Sequence, residues 1–309
     1  MKGTEKDMNR FLEFLQNPNI ILADGAMGTL LFQAGLEHGA PPELWNVEQP
    51  EKVRAVQRAY LQAGSQIILT NTFGGTRFRL AMHGLESRVK ELNRAGAAIA
   101  RAEVDAAGGR AIVAGDIGPS GEILAPLGAL EYADAVAGFA EQAEGLIAGG
   151  VDVIWIETMS DLEEVRAAME GVRRVSRDVP IIATMTFDTH GRTMMGVTPE
   201  QAVKAITEWG AVATGGNCGN GPDELLTVIE KMRAAKPDAV LVSKSNAGKP
   251  QLVEGKVVYP AGPDEMAHYA VEMRNAGARV IGACCGSSPA HLRAISRAVK
   301  DHAFAGESV

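Results

Sequence analysis

Three cysteines are the residues of this chain best suited to chemistry. Cys218 lies in ATGGNCGNG and the adjacent Cys284 and Cys285 in IGACCGSS, so glycines flank every sulfur and let the backbone bring the thiolates together. Soft thiolates favour zinc, and catalytic zinc sites commonly use three protein ligands with a fourth position open to water or substrate. An open thiolate-rich zinc suits a substrate that is itself a thiol, because the metal stabilises the thiolate against a free pKa of about 8.5. The competing reading is three small buried hydrophobes, a common fate for cysteine. A disulfide between the neighbours Cys284 and Cys285 would close a strained ring, and an odd cysteine count makes a poor disulfide framework.

Other groups fit round such a sulfur site. Glu157, in VIWIETMSD, is a carboxylate able to bind an ammonium group, or else a structural carboxylate satisfied by backbone donors. Asp24 precedes GAMGTLL, a glycine turn that opens a helix and can offer backbone N–H groups from Gly25 onward to a carboxylate, with Asp24 near an amine. Thr70, Asn71 and Thr72 offer side-chain hydrogen bonds. Lys244, in VSKSNAGKP, invites a Schiff-base lyase, against which stands an ordinary paired lysine. The six histidines form neither an HxxxH nor a Ser-His-Asp arrangement, and His190 in FDTHGRTMMG reads as a loop-ordering residue.

The elements that must position these residues follow a βαβα rhythm, short β-branched runs alternating with Ala-, Leu- and Glu-rich stretches of helical period. Strands are expected at Ile20–Ala23, Gln66–Thr70, Ala111–Ala114, Val153–Glu157, Ile181–Thr184, Val212–Thr214, Val240–Val242 and Arg279–Gly282. Helices are expected at Pro50–Ala63, Val89–Ala107, Tyr132–Ala148, Leu162–Val175, Pro199–Trp209, Asp223–Ala235 and Asp264–Ala276. This pattern predicts an α/β fold, a single (β/α)₈ TIM barrel over residues 20–309. Residues 1–19 form a short N-terminal helical extension using Phe11, Leu12, Phe14 and Leu15. A doubly wound open sheet is the alternative, but ADGAMGT lacks its G-x-G-x-x-G turn.

Barrel chemistry sits at the C-terminal ends of the strands. Those ends carry Asp24-Gly25, Asn71-Thr72-Phe73, Asp116, Glu157-Thr158, Thr186-Phe187-Asp188, Asn217-Cys218, Lys244-Ser245-Asn246 and Cys284-Cys285. All three sulfurs therefore share one face. The net charge of −8, without a basic stripe, argues against a nucleic-acid partner. No apolar run approaches the roughly 20 residues that span a bilayer, so no membrane partner is expected. MKGTEKDMNRFLEF lacks a signal-peptide h-region, which points to the cytoplasm.

The chain resembles the homocysteine S-methyltransferase family, which includes betaine-homocysteine methyltransferase and the homocysteine module of cobalamin-dependent methionine synthase. The likeness runs almost end to end through DGAMGT, PELWN, TNTFGGT, GDIGPSGE, WIETMSD, GGNCG and GACCGSSP, the last two being the family's zinc signature. It implies one zinc ion per chain on Cys218, Cys284 and Cys285, with homocysteine as methyl acceptor. Asp24, Gly25, Thr70 and Glu157 would contact the amino-acid end of homocysteine, with Asn217 beside them. Betaine-using members hold the quaternary ammonium in an aromatic cage. Cage tyrosines are expected directly after the TF of strand 2 and the glutamate of strand 4, where this chain has Gly74 and Thr158. Trp45, Phe73 and Phe78 offer a different cage. The TNTF and ETMSD patterns look more like the methionine synthase module, whose methyl group arrives on cobalamin. A chain of this length leaves no room for folate and cobalamin domains, so methylcobalamin would be presented at the barrel mouth by a separate protein. Betaine, S-methylmethionine and dimethylsulfoniopropionate are the alternative donors, and a non-catalytic zinc-binding or docking module is the alternative of another class. Homo-oligomer formation is left open.

Overall fold

The computed structural model describes residues 9–301; residues 1–8 of the expected extension and 302–309 of the expected barrel unit lie outside them. Eight parallel strands form one sheet: β1 (Ile21–Leu22), β2 (Ile67–Leu69), β3 (Ile112–Ile117), β4 (Val153–Met159), β5 (Ile181–Met185), β6 (Ala213–Cys218), β7 (Leu241–Ser245) and β8 (Ala278–Ala283). The helices that cover it are α1 (Pro50–Ala63), α2 (Val89–Ala106), α3 (Tyr132–Ala148), α4 (Leu162–Val175), α5 (Pro199–Glu208), α6 (Pro222–Ala235), α7 (Pro263–Asn275) and α8 (Pro289–Asp301). Neighbours run β1-β8-β7-β6-β5-β4-β3-β2, and a bridge from Ala23 to Ile67 brings β2 back to β1. The chain is the expected (β/α)₈ TIM barrel.

Local chemistry sets the helix ends. Thr198 and Gln201 form a reciprocal capping box at the start of α5, and Asp161 caps α4 through Glu163 N. Proline occupies the first turn of α1, α5, α6 and α7, where its missing N–H costs nothing.

The strands alternate between two apolar regions. Inward residues such as Ile21, Ile67, Ile112, Val153, Ile182, Val242 and Val280 fill the barrel, whereas Leu22, Ile68, Val113, Ile154, Ile181 and Ile281 pack under the helices. A helix over Arg10–Gln16 places fully buried Phe11 against the inner cluster, with Phe14 and Leu15 beside it.

Two boundaries differ in ways that matter. Strand β6 runs on through Gly215, Gly216 and Asn217 to Cys218, and β7 through Lys244 to Ser245. Glycine lowers strand propensity, so ATGGNC reads as a strand ending early; parallel pairing of Asn217 with Lys244 and of Cys218 with Ser245 carries it further. The connection after β7 also holds a hairpin of Gln251–Val253 and Lys256–Val258. Its signal was the Glu254-Gly255 pair, both residues being left-handed at φ 49° and 77°.

Candidate metal and thiol site at the barrel mouth

Close backbone packing brings the three sulfurs together. A Cβ on Gly215 would overlap the Val242 carbonyl, so only glycine lets β6 lie this tightly on β7. At the end of β6, Cys218 adopts φ 60°, a left-handed conformation rare outside glycine. Cys284 is tied to β7 through its N–H to Ser245 O at 2.7 Å. Cys218 Sγ lies 3.0 Å from Cys284 Sγ and 3.8 Å from Cys285 Sγ, and all three fall within 4.8 Å of one another. Sulfurs about 2.3 Å from one tetrahedral zinc lie roughly 3.8 Å apart, which the Cys218–Cys285 pair matches and the Cys218–Cys284 pair, at 3.0 Å, would reach by opening slightly. The separations exclude a disulfide, which needs about 2.05 Å.

Protons on this trio are unequally held. Hydrogen bonds from Cys218 and Cys284, helped by Tyr259, pull Cys285 down to about 3 against its burial. Cys284 is raised by the same hydrogen bonds to Cys218 and Cys285, and by burial. The bond with Cys284 lowers Cys218, but donation to Cys285 and burial outweigh it and leave that thiol raised. One thiolate, Cys285, held by two neighbouring thiols suits a divalent cation, whose binding would displace the two remaining protons.

Strand ends are locked by a polar chain. Asn217 Oδ1 accepts from Thr158 N at 2.9 Å and from Thr184 Oγ1 at 2.8 Å, while its Nδ2 donates to Thr158 Oγ1 at 2.6 Å. Trp155 Nε1 donates in turn to Thr184 Oγ1 at 3.2 Å. Asn217 thereby holds Thr158 at φ 62°, an outlier for a β-branched residue that costs about 1–3 kcal/mol. Two left-handed residues, Thr158 and Cys218, thus flank the site on both sides of Asn217.

The other expected residues converge on the same mouth. Asp24 O accepts from Ala283 N at 3.1 Å, placing the start of the β1 connection beside the cysteines. Gly25 packs so that a Cβ would meet Ser287 Oγ at 2.6 Å, and Ala26 N donates to that oxygen at 3.0 Å. Thr70 Oγ1 accepts from Asp116 N at 2.9 Å and lies 2.6 Å from Thr72 Oγ1. Since Thr72 gives its hydrogen to Asp116 O at 2.7 Å, Thr70 is the donor of that pair, and its hydroxyl anchors β3. Burial raises the Glu157 and Asp24 carboxyls, in both cases against the pull of Lys244. Burial would also lower Lys244, but Asp24 and then Glu157 outweigh it and raise the ammonium's pKa. Its 3.2 Å contact with Asp24 makes Lys244 the paired lysine of the two readings.

A family model described as homocysteine S-methyltransferase matches residues 21–299. The chain belongs to the homocysteine S-methyltransferase family. Methionine synthase of Mycobacterium tuberculosis is 34% identical over 298 residues, covering 91% of this chain and 24% of that protein. The Mycobacterium leprae methionine synthase is 32% identical with the same coverage. The chain thus spans about a quarter of the length of these relatives. Among solved structures, the metallated homocysteine methyltransferase MmuM of Escherichia coli is similar at TM-score 0.78 and 25% identity, covering 94% of this chain and 99% of that one.

Within this family the chain lacks an assembled aromatic cage at the two expected positions. A Cβ on Gly74 would lie 3.0 Å from Glu43 Oε1, so a tyrosine there requires a shift of the buried Glu43, whose carboxylate accepts from Gly74 N. Trp45 is covered by Lys52 Nζ at 4.3 Å, Phe78 lies against Gly138, and Phe73 lies against Gly118. Each aromatic is taken by a separate neighbour. Tyr259 is not marked in the sequence because it follows the hairpin rather than a barrel strand; it packs on Gly286, next to Cys285. No helix among the described residues is long and apolar enough to cross a membrane.

Proposed function

We propose that this chain is a zinc-dependent homocysteine S-methyltransferase of the cytoplasm that makes methionine. Cys218, Cys284 and Cys285 hold one zinc ion per chain, and Asp24, Gly25, Thr70, Glu157 and Asn217 build the pocket for the amino-acid end of homocysteine. Residues 20–309 act as the barrel unit and residues 1–19 as its extension. The observation that carries this reading is the clustering of the three sulfurs within 4.8 Å of one another. Bound zinc supplies a Lewis acid that keeps a substrate thiol deprotonated at neutral pH. The chain's own residues do the positioning. Asn217 fixes the turn that aims Cys218, Thr70 fixes the strand that carries Asp116, and the carboxylates favour a substrate bearing an ammonium group.

The donor in this proposal is a methyl-corrinoid presented by a separate protein. Such a corrinoid would supply an electrophilic methyl group to the substrate sulfur and would keep the electron pair of the carbon–cobalt bond. Every exposed large apolar side chain among the described residues, including Met82, Ile123, Leu127, Met194, Leu252 and Val257, lies on a connection leaving the C-terminal end of a strand. An apolar rim confined to the face that holds the sulfurs supports docking of a bulky partner there. Betaine is disfavoured by the Gly74 and Thr158 positions.

Zinc-loaded protein given homocysteine and, separately, methylcobalamin, betaine, S-methylmethionine or dimethylsulfoniopropionate is expected to yield methionine with methylcobalamin alone. Cys218→Ala is expected to lose the metal and more than about 100-fold of that activity. Full activity in a zinc-free protein would sink the proposal.

A further inference from the structure

Three carboxylates and one ammonium are buried together below the sulfurs. Asp24, Asp116, Glu157 and Lys244 are each at most 7% exposed. Their connections are uneven. Asp24 is fully engaged, because Oδ2 accepts from Leu69 N at 2.8 Å and Oδ1 accepts from Lys244 Nζ at 3.2 Å. Lys244 Nζ is 3.7 Å from Glu157 Oε2, beyond hydrogen-bond reach, and lies 5.1 Å over the Trp155 ring. Glu157 Oε2 and Asp116 Oδ1 are buried with no hydrogen-bond partner. Leaving acidic oxygens in that state is costly unless a donor arrives. Asp116 pairs in register with Trp155, whose ring fills the barrel, so Asp116 and Glu157 project from adjacent strands into the same interior. One base against three acids leaves room for a second cation, and the free acceptors say where it goes.

Building on the homocysteine reading, we propose that Lys244 takes the place of a substrate cation on Asp24, and that the ammonium of the thiol substrate is received by Glu157 together with Asp116. Asp116 becomes a substrate contact, Lys244 a specificity-determining residue, and Asp24 the anchor of Lys244 rather than a direct partner of the amine.

The test is equilibrium binding of two thiols to the zinc-loaded full chain. Homocysteine and 4-mercaptobutanoate differ only in the amino group, so the ratio of their affinities reads the ammonium subsite. The wild-type protein is expected to favour homocysteine by about tenfold or more, the value of a charge-assisted hydrogen bond. Asp116→Asn, isosteric and checked for folding by its melting curve, is expected to cut that ratio about tenfold and leave 4-mercaptobutanoate unchanged. Lys244→Met frees Asp24 and is expected to raise the ratio. Equal weakening of both thiols by Asp116→Asn, or no change in either, overturns the assignment. So does equal weakening by Lys244→Met, which would put the lysine on the carboxylate that both thiols share. If Lys244→Met does not fold, Asp116→Asn decides alone. A wild-type ratio near one overturns the ammonium subsite while thiol binding survives; binding of neither thiol removes the homocysteine reading itself.

Discussion

At the N-terminal end of the barrel, Ile21, Ile67, Ile112, Val153 and Val280 meet Phe11 in a fully apolar plug, whereas from Trp155 upward the interior holds Asp24, Asp116, Glu157, Lys244 and the three cysteines. The same eight strands build both ends. One end gains stability by removing apolar surface from water, and the other spends it on buried charge, unpaired acceptors and two left-handed non-glycine residues. Function sits where the chain is least at ease, and the plug below supports it. This division can be broken or sharpened by substitution at each end.

Phe11→Ala is expected to have the largest effect on stability, about 3–5 kcal/mol, because it empties a site with 0% exposure. Chemical denaturation measures the loss, while metal content and activity per folded molecule stay unchanged; a parallel loss of metal would mean that the two ends are coupled. Asn217→Ala is expected to cost less stability, about 1–3 kcal/mol, since it strips the buried partners of Thr158 N and Thr184 Oγ1. It should also weaken metal binding by roughly 10–100-fold through the neighbouring Cys218, as read by chelator competition. Unchanged metal affinity would show that the left-handed turn at Cys218 holds itself.

A third, smaller difference is one of sign. Glu103 on α2 is buried, which raises its carboxyl, but hydrogen bonds from Arg58 and Arg54 outweigh that and leave it below the ordinary value of 4.5. Its contribution is therefore present above that value and is lost as pH falls through the depressed folded one. Asp116 is the opposite case, raised well above 3.8 by burial and then by the charge of Glu157. The native state binds its proton more tightly, so Asp116 costs nothing below 3.8 and its cost grows as pH rises towards the folded value. Urea melts across pH should show Glu103→Gln losing stability relative to wild type as pH rises from acid, and Asp116→Asn gaining it. Slopes of the same sign would end the distinction between the two carboxylates.

Much of this was legible from residue order. Eight β-branched runs and their intervening helices were each found within a few residues, because strand and helix periods are written locally. The GGNC and ACCG motifs announced themselves by residue type. The strand character of Gly215–Cys218 was hidden, since glycine and asparagine have low β-propensity and only the β7 partner imposes pairing. The resemblance places Asn217 at the substrate pocket, but the structural part it plays, with three hydrogen-bonding positions committed to Thr158 and Thr184, is not written in the sequence. Its partners lie 59 and 33 residues away, beyond any local pattern.

The sequence by itself determined the barrel and the sulfur-rich face, since periodicity, turn chemistry and ligand softness are properties of short segments. Only the tertiary structure decided the state of the carboxylates. Asp24 and Lys244 stand 220 positions apart and meet because the ring of strands closes, and that meeting leaves Asp116 Oδ1 and Glu157 Oε2 without a hydrogen-bond donor, the latter keeping only its 3.7 Å ion pair with Lys244. Which buried acid is free depends on what else has been brought within 3 or 4 Å of it, and distance across a closed barrel is not encoded in any one stretch of chain.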